Sequence, residues 1–301
     1  MKKKEDPFEK AFQNAVDKWL DKKYAQFGRW TLGTLGVGLL VGSFLNVVIY
    51  RLPLMMQRQW RSDCLDYLKL ENDVPTDTFN LALPPSRCPH CQTQILAWQN
   101  IPVLSYLWLR GKCANCKASI SGRYPTVELL TAIASMTIAW HFGYGEQAAA
   151  GLVLTWVLIA LSGIDLDHQL LPDVILLPML WLGLILSLFG VFTDSATSII
   201  GAAAGYLLLW SVYHGFKLFT GKEGMGHGDF KLLAMLGAWF GWHYLGLIIL
   251  LSSLVGATIG ITLISLNKQQ RETPIPFGPY LAVAGWIAML WGDGLNAWYF
   301  G

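Results

Sequence analysis

The sequence predicts an all-α polytopic integral membrane protein with about eight transmembrane helices and a small zinc-stabilised domain inserted after the first helix. Three observations carry this reading. Of the 301 residues, 53% are hydrophobic and only 14% charged, too little polar surface for a dispersed soluble domain. The apolar residues come in long uninterrupted runs. Charge is also segregated: 17 of the 22 Lys and Arg precede Pro125, and none lies between Pro125 and Phe216.

Residues 1–29 form an N-terminal amphipathic segment in which Phe12, Val16, Trp19, Leu20 and Phe27 recur near helical spacing. Such a stripe suits either the membrane interface or the protein's own surface. No cleavable leader is expected, because the first apolar run lacks a small-residue cleavage site. The first transmembrane helix is placed at 30–50, where TLGTLGVGLLVGSFLNVVIY is free of charge, and Arg51-Leu52-Pro53 is expected to end it. Residues 51–125 read as a polar extramembrane domain. Residues 126–301 form the membrane body, with segments at 126–142, 147–164, 174–192, 197–216, 230–243, 244–265 and 277–298. If 51–125 is cytoplasmic, parity makes the loops 165–173, 217–229 and 266–276 cytoplasmic too. Lys217, Lys222, Lys231, Lys268 and Arg271 fall in or beside those loops, and the opposite loops hold no Lys or Arg. Residues 1–29 run against the rule, with eight basic residues on the other side.

Cys88-Pro-His-Cys91 and Cys113-Ala-Asn-Cys116 are two Cys-x-x-Cys knuckles, the spacing of a structural zinc site built from four cysteines. A domain of this size buries little core, so a metal staple has a physical purpose. Gly111 suits the tight turn before the second knuckle. Arg87, Arg110, Lys112 and Lys117 lack interleaved aromatics, so nucleic acid is not expected, and membrane lipid headgroups are the simpler partner.

The chemistry sits in two acidic loops. One carries Asp165, Asp167, His168, Pro172 and Asp173; the other carries Gly226, His227, Gly228, Asp229 and Lys231. Carboxylates at a membrane boundary are costly unless solvated, paired or used. Asp173 suits a helix cap after Pro172, and Asp167 suits loop solvation. Asp165 lies deeper, at the end of a span, and Asp229 opens another behind glycines that permit positive φ and close approach. Two carboxylates that share one proton can activate water and protonate a peptide carbonyl, as an intramembrane aspartyl protease requires. A rival reading gives Asp165, Asp167, His168, His227 and Asp229 to a divalent metal in a metal-dependent intramembrane hydrolase. Another makes the chain a non-enzymatic membrane component of a secretion or pilus assembly machine. Glu128 enters the membrane just beyond the polar domain, where it can neutralise Arg123 or line a site. The Pro276-Phe277-Gly278-Pro279 turn suits packing against a neighbouring loop.

Together these residues resemble the bacterial type IV prepilin peptidases, the leader peptidase/N-methyltransferases. The resemblance spans about residues 38–290, in seven blocks. These are Gly42–Pro53, Ser86–Cys91, Arg110–Cys116, Gly122–Leu130, Ile164–Asp173, Gly226–Leu233 and Pro276–Pro279. It implies that Asp165 and Asp229 are the catalytic pair, supported by Gly226, Gly228, Lys231, Asp167 and Asp173. It implies cleavage of type IV prepilins and type II secretion pseudopilins after the Gly that ends a short basic leader. The reaction would occur at the cytoplasmic face of the bacterial inner membrane. The new N-terminal amine, usually of Phe, would then be methylated by S-adenosylmethionine, with Gly111 and Glu128 as methyltransferase candidates. Cys88, Cys91, Cys113 and Cys116 would hold a structural Zn²⁺. On this resemblance 51–125 carries zinc and part of the methyltransferase, and 126–301 is the peptidase domain.

Overall fold

The computed structural model describes residues 7–71, 74, 75, 77–222, 225–265 and 276–300, without the side chains of 7–26, 263, 264, 299 and 300. The side chains of the expected stripe at Phe12, Val16, Trp19 and Leu20, and the loop with Lys268, Arg271 and Pro274, fall outside what is described.

The first helix, α1 (Pro7–Leu68), is 62 residues long and contains Pro53. It therefore does not stop at Arg51-Leu52-Pro53. Proline removes one rung of the helix ladder, but side chains on both sides of it find partners in the returning polar segment. The buried guanidinium of Arg51 donates to the carbonyls of Asn80 (2.9 Å) and Pro84 (2.7 Å). Arg58 stacks 4.1 Å from the Phe79 ring centroid. These contacts hold the continuation of α1 against the domain that follows it.

That domain contains a short 3-10 turn (Ala97–Asn100) and α2 (Leu104–Trp108). The membrane body is α3 (Arg123–Phe142), α4 (Glu146–His168), α5 (Asp173–Ser187), α6 (Ser195–Thr220), α7 (His227–Phe240), α8 (Leu245–Ser265) and α9 (Gly278–Phe300). Each expected segment thus has a helix. Only four of the described helical stretches, Phe27–Leu68, Glu146–His168, Ser195–Thr220 and Trp242–Thr262, are long and apolar enough to cross a membrane by themselves. Length and apolarity alone therefore support four spans among the described residues, against the expected count of about eight. α5 and α7 explain part of the difference, since their 15 and 14 residues rise only about 22 and 21 Å against a hydrocarbon core of about 30 Å.

α7 is short because it is the centre of the bundle. Every residue from Asp229 to Phe240 except Lys231 is buried. Lipid tails are as apolar as leucine, so close backbone approach and interhelical hydrogen bonds replace the hydrophobic drive. Gly201 on α6 and Gly237 on α7 meet backbone to backbone, with no space for a Cβ on either. Gly205 would place a Cβ 2.7 Å from the Leu233 carbonyl oxygen. Indole N–H groups tie further helices: Trp239 donates to the Met179 carbonyl on α5 (2.8 Å), Trp156 to Ser135 on α3 (2.9 Å), and Trp286 on α9 to Thr155 on α4 (3.1 Å). On the other flank, α1 lies on α3, where a Cβ at Gly42 would come 2.7 Å from the Glu128 Cα.

Candidate active site and metal centre

A cavity of about 410 Å³ opens where the C-terminal end of α4, the link to α5 and the start of α7 meet the continuation of α1. Asp165 and Asp229 both line it, each nearly buried at 5% and 6% exposure. The two acidic loops of the sequence therefore converge.

Local geometry explains how. α4 closes on Gln169 in the left-handed region (φ 51°), whose N–H bonds to the Asp165 carbonyl at 2.9 Å. The chain then turns through Leu171 and Pro172 into α5. Gly228 sits against this turn: a Cβ there would lie 2.7 Å from Leu171 Cβ. Glycine is thus used for close approach of the two loops. The expected positive φ is not found, since Gly226 has φ −78° and Gly228 lies within α7. A helical start needs no left-handed residue. The Asp229 N–H bonds to the Gly226 carbonyl at 3.2 Å, fixing the first turn of α7.

A third element completes the site. The Gly278 N–H donates to Asp165 Oδ2 at 3.0 Å, and a Cβ on Gly278 would stand 2.7 Å from that oxygen. The proline-flanked turn does pack against a neighbouring loop, as its sequence suggests. Met56 and Trp60 on α1 also line the cavity. Sequence reasoning missed them because it ended the helix at Pro53; their three- to four-residue spacing after that proline was the available signal.

The other acidic residues are paired. Arg123 forms a fork with Asp167, with both nitrogen–oxygen contacts at 2.7 Å, and reaches the Gly163 carbonyl at 3.4 Å. Lys231 Nζ donates to both carboxylate oxygens of Asp173 at 2.7 Å. Asp173 is the first residue of α5, and its partner is this cation. Gly226, Gly228, Lys231 and Asp173 line the cavity, and Asp167 stands beside Arg123 outside its lining. Among the described residues no three of Asp165, Asp167, His168, His227 and Asp229 bring ligand atoms within 4.8 Å of one another, so no preformed cluster favours the metallohydrolase reading.

The four cysteines do gather. Cys88, Cys91, Cys113 and Cys116 bring their sulfurs within 4.8 Å of one another, with Cys88–Cys116 at 3.8 Å and Cys91–Cys113 at 4.0 Å. Four thiolates at about 2.3 Å from one zinc stand about 3.8 Å apart, so the donor set fits tetrahedral Zn²⁺. The two knuckles repeat one another in detail. Cys88 N–H bonds to Thr93 O as Cys113 N–H bonds to Ala118 O, and Ile95 N–H bonds to Ser86 O as Ile120 N–H bonds to Gly111 O. The left-handed residues Gln92 (φ 55°) and Lys117 (φ 60°) also correspond. Hydrogen bonds from Thr93, side chain first and then backbone, pull the Cys91 thiol down to about 5. Backbone N–H groups of Cys116 and Asn115 lower that of Cys113. Both shifts favour the thiolates that a metal binds, whereas Cys116, despite a backbone hydrogen bond from Ala118, is pushed up to about 11 by burial and the neighbouring cysteines.

Gly111 takes φ +66° and packs on the Tyr106 ring. Glu128 is buried and accepts a hydrogen bond from Val103 N–H at 2.7 Å. It does not neutralise Arg123, which is committed to Asp167.

Residues 37–142 match the family model described as Bacterial Peptidase A24 N-terminal domain, and residues 152–261 match that of the Type IV leader peptidase family. The chain is 61% identical over 270 residues to a prepilin leader peptidase/N-methyltransferase of Stutzerimonas stutzeri, covering 90% of this chain and 93% of the relative. Relatives with the same name in Pseudomonas aeruginosa (59%, covering 90% of this chain and 93% of the relative) and Legionella pneumophila (48%, covering 87% and 92%) agree over similar spans. No solved structure matches the chain. At these identities over nearly the full length of both chains, this protein belongs to the bacterial prepilin leader peptidase/N-methyltransferase family.

Proposed function

We propose that the chain cleaves the leader peptides of type IV prepilins and type II secretion pseudopilins and N-methylates the exposed amine, with Asp165 and Asp229 as the peptidase pair. The observation that carries the assignment is the presence of both buried carboxyl groups on one cavity, from loops distant in sequence. The scissile peptide bond follows the Gly that ends the basic leader. One aspartate, ionised, takes a proton from water while the other, protonated, donates to the peptide carbonyl oxygen. Water oxygen bonds to the carbonyl carbon; the C–N bond then breaks, the leader leaves as a carboxylate and the mature chain as an amine. The Gly278 N–H occupies Asp165 Oδ2, leaving the other oxygen for water. The Lys231–Asp173 pair braces α7 against α5 beside the cavity.

Methylation moves a methyl group from the sulfonium of S-adenosylmethionine to the new amine, which loses a proton. Glu128 is the residue we assign to orient that amine: it is a buried carboxylate held by Val103 N–H. Gly111, which packs on the Tyr106 ring, is the second residue assigned to the methyltransferase part. Lys217, Lys222 and Lys231 support placing the peptidase cavity at the cytoplasmic face of the inner membrane. Incubation of purified protein with a prepilin and S-adenosylmethionine, followed by mass analysis of the product N-terminus, is expected to show loss of the leader and gain of one methyl group. An intact prepilin would refute the proposal.

A further inference from the structure

The polar domain carries an apolar face. Leu96, Trp98, Ile101, Leu104, Leu107 and Trp108 are all exposed, in a stretch that includes the 3-10 turn and α2. Trp108 is 84% exposed and Leu104 and Leu107 are each 64% exposed. Six large side chains within so short a stretch form a patch that a soluble surface does not leave bare. Beyond the membrane helices such a patch needs an occupant.

We infer that this segment lies in the membrane surface, with its apolar side chains in the boundary between headgroups and acyl chains, so that the zinc domain rests on anionic lipid. Depth is the first argument. The N–H of Val103, just before α2, is bonded to Glu128 of α3. Glu128 is five residues beyond the first residue of α3, or about 7.5 Å along its axis. The start of α2 is therefore level with the second turn of α3, and the next residues of α3 are exposed leucines, Leu129 and Leu130. The exposed apolar side chains of α2 therefore begin at the depth where α3 starts to expose leucines. Charge is the second argument. Arg110, Lys112 and Lys117 follow α2 directly and are exposed, as is Arg87 on the first knuckle. Tryptophan with leucine at the acyl boundary, flanked by Lys and Arg among headgroups, is the composition of an interfacial element.

The test uses the full-length protein labelled with 5-fluorotryptophan and reconstituted in nanodiscs of phosphatidylethanolamine and phosphatidylglycerol. Trp98→Phe and Trp108→Phe serve only to assign the two fluorine resonances. A nitroxide lipid labelled near the headgroup is expected to broaden both lines, and a water-soluble gadolinium chelate is expected to leave them sharp. Replacing Arg110, Lys112 and Lys117 by Gln should weaken the nitroxide broadening in discs with phosphatidylglycerol and leave it unchanged in discs of phosphatidylcholine alone. Broadening by the aqueous chelate without broadening by the lipid label would overturn the inference. So would protection from both reagents, which would indicate cover by a second copy, or protection that arises only when a prepilin is added.

Discussion

The backbone N–H of Gly278 donates to Oδ2 of Asp165 at 3.0 Å, joining the start of α9 to the end of α4. A methyl group on Gly278 would stand 2.7 Å from that oxygen, so Gly278→Ala must displace the carboxyl or the turn. Misplacement of a reacting group by about 1 Å costs on the order of 100-fold in rate. Gly278→Ala is therefore expected to lower kcat for prepilin cleavage by about tenfold to 100-fold, with methylation of an already trimmed substrate unchanged. Single-turnover cleavage assays decide it; a wild-type rate would show that this contact positions nothing.

The Arg123–Asp167 fork ties the first residue of α3, where the polar domain ends, to α4 two residues beyond Asp165. Both side chains are partly exposed, so breaking the pair should cost no more than about 1 kcal/mol. Arg123→Gln and Asp167→Asn are each expected to loosen the domain, read as faster proteolysis between 69 and 122. The exchanged variant Arg123→Asp with Asp167→Arg should recover most of the protection. Equal sensitivity of the exchanged and single variants would argue against an electrostatic tie.

Zinc content follows from the sulfur geometry. Purified protein should carry one Zn²⁺ per chain, and Cys88→Ser with Cys91→Ser should remove it and expose the domain to protease, because a structural zinc contributes its binding energy to folding. Metal analysis finding none in the wild type would overturn the zinc assignment of the four cysteines.

The Gly201–Gly237 contact leaves no space for a side chain between α6 and α7. Gly237→Ala is expected to destabilise the bundle by about 1–3 kcal/mol. The check is a lower thermal midpoint in detergent; an unchanged midpoint would mean the helices can move apart freely.

Much of the fold is legible in the sequence, for identifiable reasons. Helix positions from Arg123 onward follow from uninterrupted apolar runs, and the cysteine cluster follows from spacing alone. Three features are not legible. The continuation of α1 past Pro53 depends on contacts from Arg51 and Arg58 to residues 79–84, which no local pattern announces. The glycines beside Asp229 suggest backbone freedom when read locally, whereas the need at Gly228 is space for Leu171, a residue distant in the chain. The same limit applies to α7: its burial on all sides is set by its neighbours, so its 14 residues look like a weak span when read alone.

A pair of carboxyl groups working with one proton between them gives a bell-shaped pH dependence, with cleavage lost on the acid side when both are protonated and on the alkaline side when both are ionised. Methylation of a trimmed substrate should not follow that bell. Coincident profiles for the two activities would speak against separate chemistry.

The central claim is tested most directly by Asp165→Asn and Asp229→Asn in purified, membrane-reconstituted protein, assayed side by side for leader removal and for methylation of an already trimmed substrate. Each single variant is expected to abolish leader removal and retain methylation and zinc. Leader removal at the wild-type rate by either variant would contradict the account.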